Sequence, residues 1–142
     1  MERYPYDDRL IFLLGLARQR IYTQLDKALL ETSGITTAQA GALFFLVRND
    51  GSLLVELARG LKLDKSAATR MVDRLELKKL VERSPCRRDS RAVRVHLTKA
   101  GRSVAECCLS TVKEHNQAIK EGFSAEEIQS FSNILQAIIH RF

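Results

Sequence analysis

The sequence of 142 residues has no tryptophan, two prolines, seven glycines and three cysteines. The scarcity of proline and glycine favours a helix-rich chain over a β-sandwich. An odd number of cysteines excludes a complete disulfide framework and makes a reducing cytoplasm the expected setting. No apolar run approaches the roughly 18 residues that span a membrane, and residues 1–8 do not resemble a signal peptide. With 45% apolar residues, one globular domain is expected.

Motifs of catalysis and metal binding are also missing. The sequence has no phosphate-binding loop, nucleophile elbow or paired-carboxylate pattern. His96, His115 and His140 share no metal-ligand spacing. We therefore expect no enzyme, no metal and no cofactor, and a small-molecule-binding protein with enzymatic activity is disfavoured.

The positive charge is confined to one segment. The net charge of the chain is +6, but residues 64–102 hold twelve Lys and Arg against five Asp and Glu, which leaves the remainder at −1. A local positive field attracts polyanions. Charge alone fits an ordinary solvated face equally well, so the elements that carry the charge decide between the two interpretations.

Apolar periodicity predicts a series of helices. The first covers residues 7–31, and a capping box at Thr36 opens a second that runs through Val47. A short helix over 53–60 is followed by one that Asp64 caps and that extends to about residue 78. Two helices joined by about four residues, the second with a basic outer face, form a helix-turn-helix pattern.

The period then changes to that of strands. A polar, basic loop over 84–91 lies between residues 80–83 and the alternating residues 93–98, which predicts a β-hairpin wing. Helices over 99–121 and 124–142 follow, and the last repeats apolar residues at heptad-like spacing. The predicted fold is mostly α with a small β wing (α+β), a winged helix-turn-helix. Residues 36–98 form the winged helix-turn-helix lobe, and residues 1–35 and 99–142 supply N- and C-terminal dimerisation helices.

The motifs of this segment resemble those of the MarR family of bacterial regulators. The resemblance rests on LELKKLVER at residues 75–83, RDSR at 88–91 and VHLTKAGR at 95–102, with ELA at 56–58 and TRMVDR at 69–74 before them. It implies a homodimer that binds pseudo-palindromic duplex DNA, one helix in the major groove and the wing in the minor groove. Many members of the family are repressors released by small, often aromatic, anions.

Two residues depart from the family pattern. Lys79 stands where the family often has glycine, at a position that favours positive φ. Leu53 stands where the family often has a Ser or Thr cap, which leaves Ser52 as the candidate cap one residue earlier.

The resemblance points to two sets of DNA-binding residues. The recognition helix offers Lys65, Ser66, Thr69, Arg70 and Arg74. Of these, Arg70 suits a guanine edge, and Arg74 is expected to meet a phosphate or to pair with Asp73. The wing offers Arg87, Arg88 and Arg91, with Arg91 as the residue that enters a narrow minor groove. Asp89 is expected to brace the arginine or the loop.

The remaining expectations concern an effector pocket, the cysteines and the function as a whole. An effector pocket could involve Arg18, Tyr22 and Phe44, which are equally good packing residues. Cys86 lies beside two arginines whose charges should favour the thiolate, and its oxidation could move the wing. Cys107 and Cys108 are more simply interpreted as small core or interface residues. The sequence thus predicts a dimeric, double-stranded-DNA-binding transcription regulator, most simply a repressor. The alternative is a helical protein-interaction module whose basic winged domain does not read DNA.

Overall fold

The computed structural model describes residues 9–142, so the expectations for residues 1–8 lie outside the described residues. The elements in chain order are α1 (Leu10–Ser33), α2 (Thr37–Arg48), β1 (Ser52–Leu53), α3 (Leu54–Gly60), α4 (Lys65–Leu77), β2 (Val81–Pro85), β3 (Val93–Leu97), α5 (Lys99–Lys120) and α6 (Ala125–Arg141). None of the helices among these residues is long and apolar enough to cross a membrane. Six helices with a small antiparallel sheet confirm the predicted fold class.

The helix boundaries follow the capping residues. The Thr36 side chain accepts the Gln39 N–H at 3.2 Å, and the Gln39 side chain accepts the Thr36 N–H at 3.1 Å. Ser124 opens α6 with the same reciprocal pair, and Asp64 caps α4. These bonds satisfy N–H groups that a helix start leaves unpaired. The capping predictions for α2, α4 and α6 are confirmed.

The start of α3 differs from the prediction. Leu53 occupies the cap position of α3 without any side-chain hydrogen bond, and the Ser52 hydroxyl donates instead to the Asn49 carbonyl. Ser52 therefore does not cap this helix. Ser52 and Leu53 pair with Val95 and Arg94 as a third strand, which the sequence pattern did not predict. A two-residue strand is too short to show a period of two.

The sheet has the order β1-β3-β2, with both pairs antiparallel. In the wing hairpin Val81 lies opposite Leu97, and Pro85 lies opposite Val93. Pro85 is the last residue of the edge strand β2, and proline has no backbone N–H that would need a partner in the sheet. The core behind this sheet and the helix-turn-helix contains fully buried side chains from several elements: Leu29, Ile35, Leu43, Leu46, Leu57, Val72, Leu75, Val81 and Val95.

Two features of the 75–102 segment have a steric cause. Lys79 has φ 60°, in the left-handed region that glycine prefers, and its carbonyl accepts the Thr98 hydroxyl at 2.7 Å. A Cβ at Gly101 would lie 2.1 Å from the Leu80 carbonyl oxygen, so no larger residue fits where α5 begins. The Thr98-x-x-Gly101 spacing thus serves to join the start of α5 to the end of α4.

The described residues divide into two compact units, one up to Thr111 and the other Val112–Phe142. In the first unit, α1 buries only Leu25 and Leu29. Leu10 and Leu14, nearer the start of this helix, are exposed. In the second unit, α6 contains no buried residue. The division into a DNA-binding lobe and dimerisation helices stays a prediction.

Candidate nucleic-acid interface

The recognition helix α4 is fixed by a cap and a buried stripe. Asp64 Oδ1 accepts the Ala67 N–H at 2.7 Å, and Ala68, Val72 and Leu75 are fully buried. Because these positions share one face of the helix, the opposite face is directed to solvent. The packing of α4 therefore determines which of its side chains can contact a ligand.

Four predicted DNA-binding residues come together on this outer face. They line one shallow depression of about 540 Å³: Lys65, Ser66, Thr69 and Arg70. Thr69 is half-buried, and its hydroxyl donates to the Lys65 carbonyl at 2.8 Å, which leaves its oxygen lone pairs available as acceptors. Lys65, Ser66 and Arg70 are exposed. Arg74 lies one turn further along the helix, outside the depression but also exposed.

The acidic residues of α4 are neutralised by one arginine from the sheet. The Arg83 guanidinium forms ion pairs with Asp73 and, at 3.5 Å, with Glu76. It also donates to the Thr69 carbonyl at 3.3 Å. Of the two roles predicted for Arg74, a phosphate contact or a pair with Asp73, the second is not the one described, because the ion pair of Asp73 is with Arg83. Arg83 thus removes two negative charges from the field of α4 and ties β2 to this helix.

The sequence interpretation missed this role of Arg83. The position of Arg83 in the sequence does not indicate these contacts, because they join a strand residue to residues of a helix. Asp73 and Glu76 are three residues apart on one helix face, which is the spacing that lets one guanidinium reach both carboxylates. A paired acidic motif followed by an arginine on the next strand is the only hint the sequence contains.

The wing loop between β2 and β3 is closed by backbone hydrogen bonds. The Cys86 N–H donates to the Ala92 carbonyl and the Ala92 N–H to the Asp89 carbonyl, each at 3.0 Å. Three arginines of this loop are exposed: Arg87, Arg88 and Arg91. Arg91 stands out, because its side chain is 95% exposed. A guanidinium in this position makes few contacts within the chain, so it gives up few of them when it enters a groove of a duplex.

Asp89 is turned toward its own loop. Its Oδ1 accepts the Arg91 N–H at 3.0 Å, and the same oxygen lies 4.0 Å from Arg91 Nε. A side-chain oxygen that accepts the N–H two residues later stabilises a turn. This geometry supports the predicted bracing of the loop by Asp89. A contribution of this bracing to DNA binding stays a prediction.

The preference of Cys86 for the thiolate has a different cause from the one expected. The backbone N–H groups of Arg88 and Asp89 hold the pKa of the Cys86 thiol below its ordinary value, the Arg94 charge acts in the same direction, and desolvation opposes them. The side-chain charges of Arg87 and Arg88, on which the expectation rested, are not among the causes. Cys86 is nevertheless buried, which limits contact with an oxidant. Burial raises the pKa of Cys108, and Cys107 accepts a hydrogen bond from Ser33 at 3.3 Å.

A second group of polar contacts fixes the wing to the body of the lobe. Asp50 accepts the Leu97 N–H and pairs with Arg102, each at 2.8 Å. The Arg94 guanidinium donates to the Gly51 carbonyl at 2.9 Å. These contacts engage Arg94 and Arg102, which belong to the basic segment but act within the fold. The charge available to a partner is therefore smaller than the sequence count.

Two of the three predicted effector residues, Arg18 and Tyr22, are in contact. The Arg18 guanidinium lies over the Tyr22 ring, 4.5 Å from its centre, and Phe44 is half-buried on α2. A pocket at these residues stays a prediction. Within residues 9–142 there is no cluster of His, Cys, Asp and Glu suited to a metal ion. His96 is engaged by the Ser84 hydroxyl, with 2.9 Å between Nε2 and Oγ.

Comparisons with known proteins agree on one family. The MarR family profile matches residues 33–92. The multiple antibiotic resistance protein MarR of Escherichia coli is 31% identical over 132 residues, which cover 92% of this chain and 89% of the relative.

Solved structures extend the likeness to the fold. A probable transcriptional regulator from Pseudomonas aeruginosa is 28% identical, with a TM-score of 0.81, and the match covers 93% of this chain and 98% of that one. A mutant of Escherichia coli MarR in complex with operator DNA is 31% identical, with a TM-score of 0.77, and covers 94% and 99% of the two chains. The fold, the helix-turn-helix and these matches agree, and the chain belongs to the MarR family of transcription regulators.

Proposed function

We propose that this protein is a homodimeric regulator that binds a pseudo-palindromic duplex through α4 and the wing. The observation that carries the proposal is the distribution of charge on the lobe. Lys65, Arg70 and Arg91 are exposed, whereas the acids of α4 nearest to them are engaged by Arg83. An exposed surface on which cations outnumber acids fits the phosphate backbone.

Each residue of the surface receives a role from its position. Arg70, together with Ser66 and Thr69, lies in the N-terminal half of α4, which meets base edges in helix-turn-helix proteins. Arg70 forms two hydrogen bonds to a guanine, and Lys65 and Arg74 contact phosphates. Arg91 enters the minor groove, where narrow A·T-rich sequences concentrate negative potential. Arg87 and Arg88 contact the flanking phosphates, and Asp89 holds the loop.

Dimerisation is supported by the apolar side chains at the two ends of the described chain. Ile11 and Phe12 of α1 are 80% and 77% exposed, and Ile139 of α6 is 71% exposed. On each of these helices, exposed apolar side chains mark an interaction face. A second copy would cover both faces and would present two α4 helices to successive turns of DNA, about 34–36 Å apart.

The regulator is proposed to act as a repressor in the cytoplasm, where the chromosome lies, and to be released by a small-molecule effector. An effector that favours a dimer with the wrong helix separation would lower DNA affinity. No catalytic role is proposed, since binding and release of DNA need none.

The test is selection of bound duplexes from a random pool, followed by titration of the selected duplex at several salt concentrations. We expect one pseudo-palindrome, and a log K that falls linearly with log salt. A matched pool of scrambled sequences is the control. Equal affinity for all duplexes, or no binding, would refute the proposal and favour a protein-interaction module.

A further inference from the structure

The C-terminal end of α4 contacts the C-terminal end of α1. The Lys78 ammonium donates a hydrogen bond to the Gly34 carbonyl, across 44 positions of the sequence. Lys78 is the C-cap of α4, and Gly34 is the C-cap of α1. This contact therefore joins the recognition helix to a helix whose exposed apolar face is proposed to meet a second copy.

Backbone hydrogen bonds fix both ends of this contact. The Gly34 N–H donates to the Leu30 carbonyl at 3.2 Å. Gly34 has φ 70°, and the next residue, Ile35, is fully buried. The Lys78 N–H donates to the Arg74 carbonyl, also at 3.2 Å. The Lys78 side chain thus connects two helix ends whose backbones are held in place.

The contact has an electrostatic cause as well. The C-terminal end of a helix carries partial negative charge and is stabilised by a cation. Helices α2 and α5 have Arg48 and Lys120 in their own last turns. The last turn of α1 has no basic residue and contains Glu31. Lys78 supplies from α4 the cation that α1 lacks.

The position of Lys78 on α4 makes the direction of this helix sensitive to the contact. Ser66 precedes Lys78 by 12 residues, which is about 18 Å of helix at about 1.5 Å per residue. A tilt of about 10° at the Lys78 end would move the Ser66 end by about 3 Å. The rise of one base pair is about 3.4 Å. A small change in the direction of α4 would therefore shift each base-reading end by nearly one base pair.

We propose that Lys78 is a positioning residue for DNA recognition: by holding α4 to α1, it determines which spacing of half-sites the dimer accepts. The inference rests on the proposed function, because half-site spacing matters only to a dimer that reads two half-sites. Without the Lys78 contact, the buried side chains of Val72 and Leu75 still hold α4 in the lobe. The direction of α4 relative to α1 is then less restricted, so duplexes with altered spacing bind relatively better.

Three variants isolate the contact. Lys78→Met keeps an unbranched side chain and removes the donor, whereas Lys78→Arg keeps a charged donor. Lys79→Met is the matched control, because it removes the same charge one residue later, where the carbonyl oxygen is the atom that bonds to Thr98. Both lysines are exposed, so each variant should fold and dimerise, which thermal unfolding and sedimentation check. Loss of the fold or of the dimer in Lys78→Met would assign Lys78 to stability and overturn the positioning role.

The contact itself is tested by NMR on the full chain without DNA. The carbonyl carbon of Gly34 and the amide of Ile35 belong to one peptide group, so the chemical shifts of both report the hydrogen bond. We expect both shifts to move in Lys78→Met and to change little in Lys79→Met. Unchanged shifts in Lys78→Met would show that the contact does not form in solution, which would overturn the proposal.

The spacing test titrates each variant with duplexes in which the two selected half-sites lie one or two base pairs closer together or further apart. Wild type should bind most tightly at the selected spacing. In Lys78→Met the ratio of affinities for selected and altered spacing should fall about two- to fivefold, the scale of one exposed charged contact. Lys78→Arg should restore the ratio, and Lys79→Met should leave it as in wild type.

The outcomes distinguish this inference from the proposed function. A uniform loss of affinity at every spacing in Lys78→Met, with a weaker salt dependence, would make Lys78 a phosphate contact and overturn the positioning role. An unchanged ratio in Lys78→Met, or an equal fall in Lys79→Met, would overturn it while the proposed function stands. A wild-type chain that binds no duplex, or binds without preference for spacing, would refute the proposed homodimer and the role of Lys78 with it.

Discussion

Helices α4 and α6 are both amphipathic, yet they use their apolar faces in opposite ways. In α4 the side chains of Ala68, Val72 and Leu75 are fully buried within the chain. In α6 no residue is buried, and Phe131 is 53% exposed. An apolar stripe therefore shows that a helix needs a covering surface. It does not show whether the same chain or a second copy provides that surface.

The polar faces of the two helices differ as well. The outer face of α4 carries exposed cations. The two acidic residues of this helix, Asp73 and Glu76, form ion pairs with Arg83. The first turn of α6 carries Glu126 and Glu127, which suit a helix N-terminus. We infer that α4 is completed inside the chain and presents a surface to DNA, whereas α6 presents its apolar face to a partner chain. The following predictions test each half of this comparison.

The largest effect is expected in the core beneath α4. Leu75→Ala removes a fully buried side chain and should lower the free energy of unfolding by about 2–5 kcal/mol. Leu77→Ala is the matched control, because Leu77 is 84% exposed and should change the same quantity by less than about 0.5 kcal/mol. Chemical denaturation measures both. A similar loss in the two variants would mean that Leu77 is covered by a partner.

The next effect concerns the oligomeric state. Phe131→Asp places a charge on the apolar face of α6 and should convert a dimer to a monomer in sedimentation experiments, because a desolvated charge without a partner is costly. Gln136→Asp adds the same charge at an exposed position of the same helix and should leave the dimer intact. A Phe131→Asp dimer as stable as that of wild type would place the interface elsewhere.

The third effect distinguishes base reading from phosphate contact on α4. Arg70→Ala should cost roughly 1–3 kcal/mol of DNA affinity and relax the preference at one base pair. Lys65→Ala should weaken all sequences about equally and reduce the salt dependence by about one counterion. Titrations of single-base variants of the selected duplex separate the two patterns. A uniform loss in Arg70→Ala would assign Arg70 to a phosphate.

The smallest effect concerns the wing. Asp89→Ala removes the oxygen that accepts the Arg91 N–H and should weaken DNA binding by about 0.5–1 kcal/mol, the scale of an exposed polar contact. Charge counting predicts the opposite sign, since a negative charge leaves a DNA-facing loop. Arg91→Ala is the reference, because it should weaken binding under both accounts. Tighter binding by Asp89→Ala would show that Asp89 is only a solvated charge.

The sequence was most informative where the cause of structure is local. The caps at Thr36, Asp64 and Ser124 each depend on residues three positions apart, and all three helices begin there. The alternation over residues 93–98 predicted a strand, and β3 runs from Val93 to Leu97, one residue shorter. The positive φ of Lys79 was expected from the resemblance, because the family often has glycine at this helix-ending position.

Features that depend on distant partners could not be predicted in the same way. Strand β1 exists because Ser52 and Leu53 meet β3, about forty residues later. Arg83 reaches α4 only after the wing has folded onto it. The pKa of Cys86 is governed by loop N–H groups whose direction the sequence does not specify.

Hydroxyl-radical footprinting of the selected duplex tests the central claim, that α4 and the wing together bind DNA, most directly. The account predicts two protected segments related by a two-fold axis, with centres about 34–36 Å apart, and flanking minor-groove protection. In Arg91→Ala the flanking protection should disappear while the central segments remain protected. Loss of protection across the whole site in that variant, or flanks that stay protected, would contradict the assignment of the wing to the minor groove.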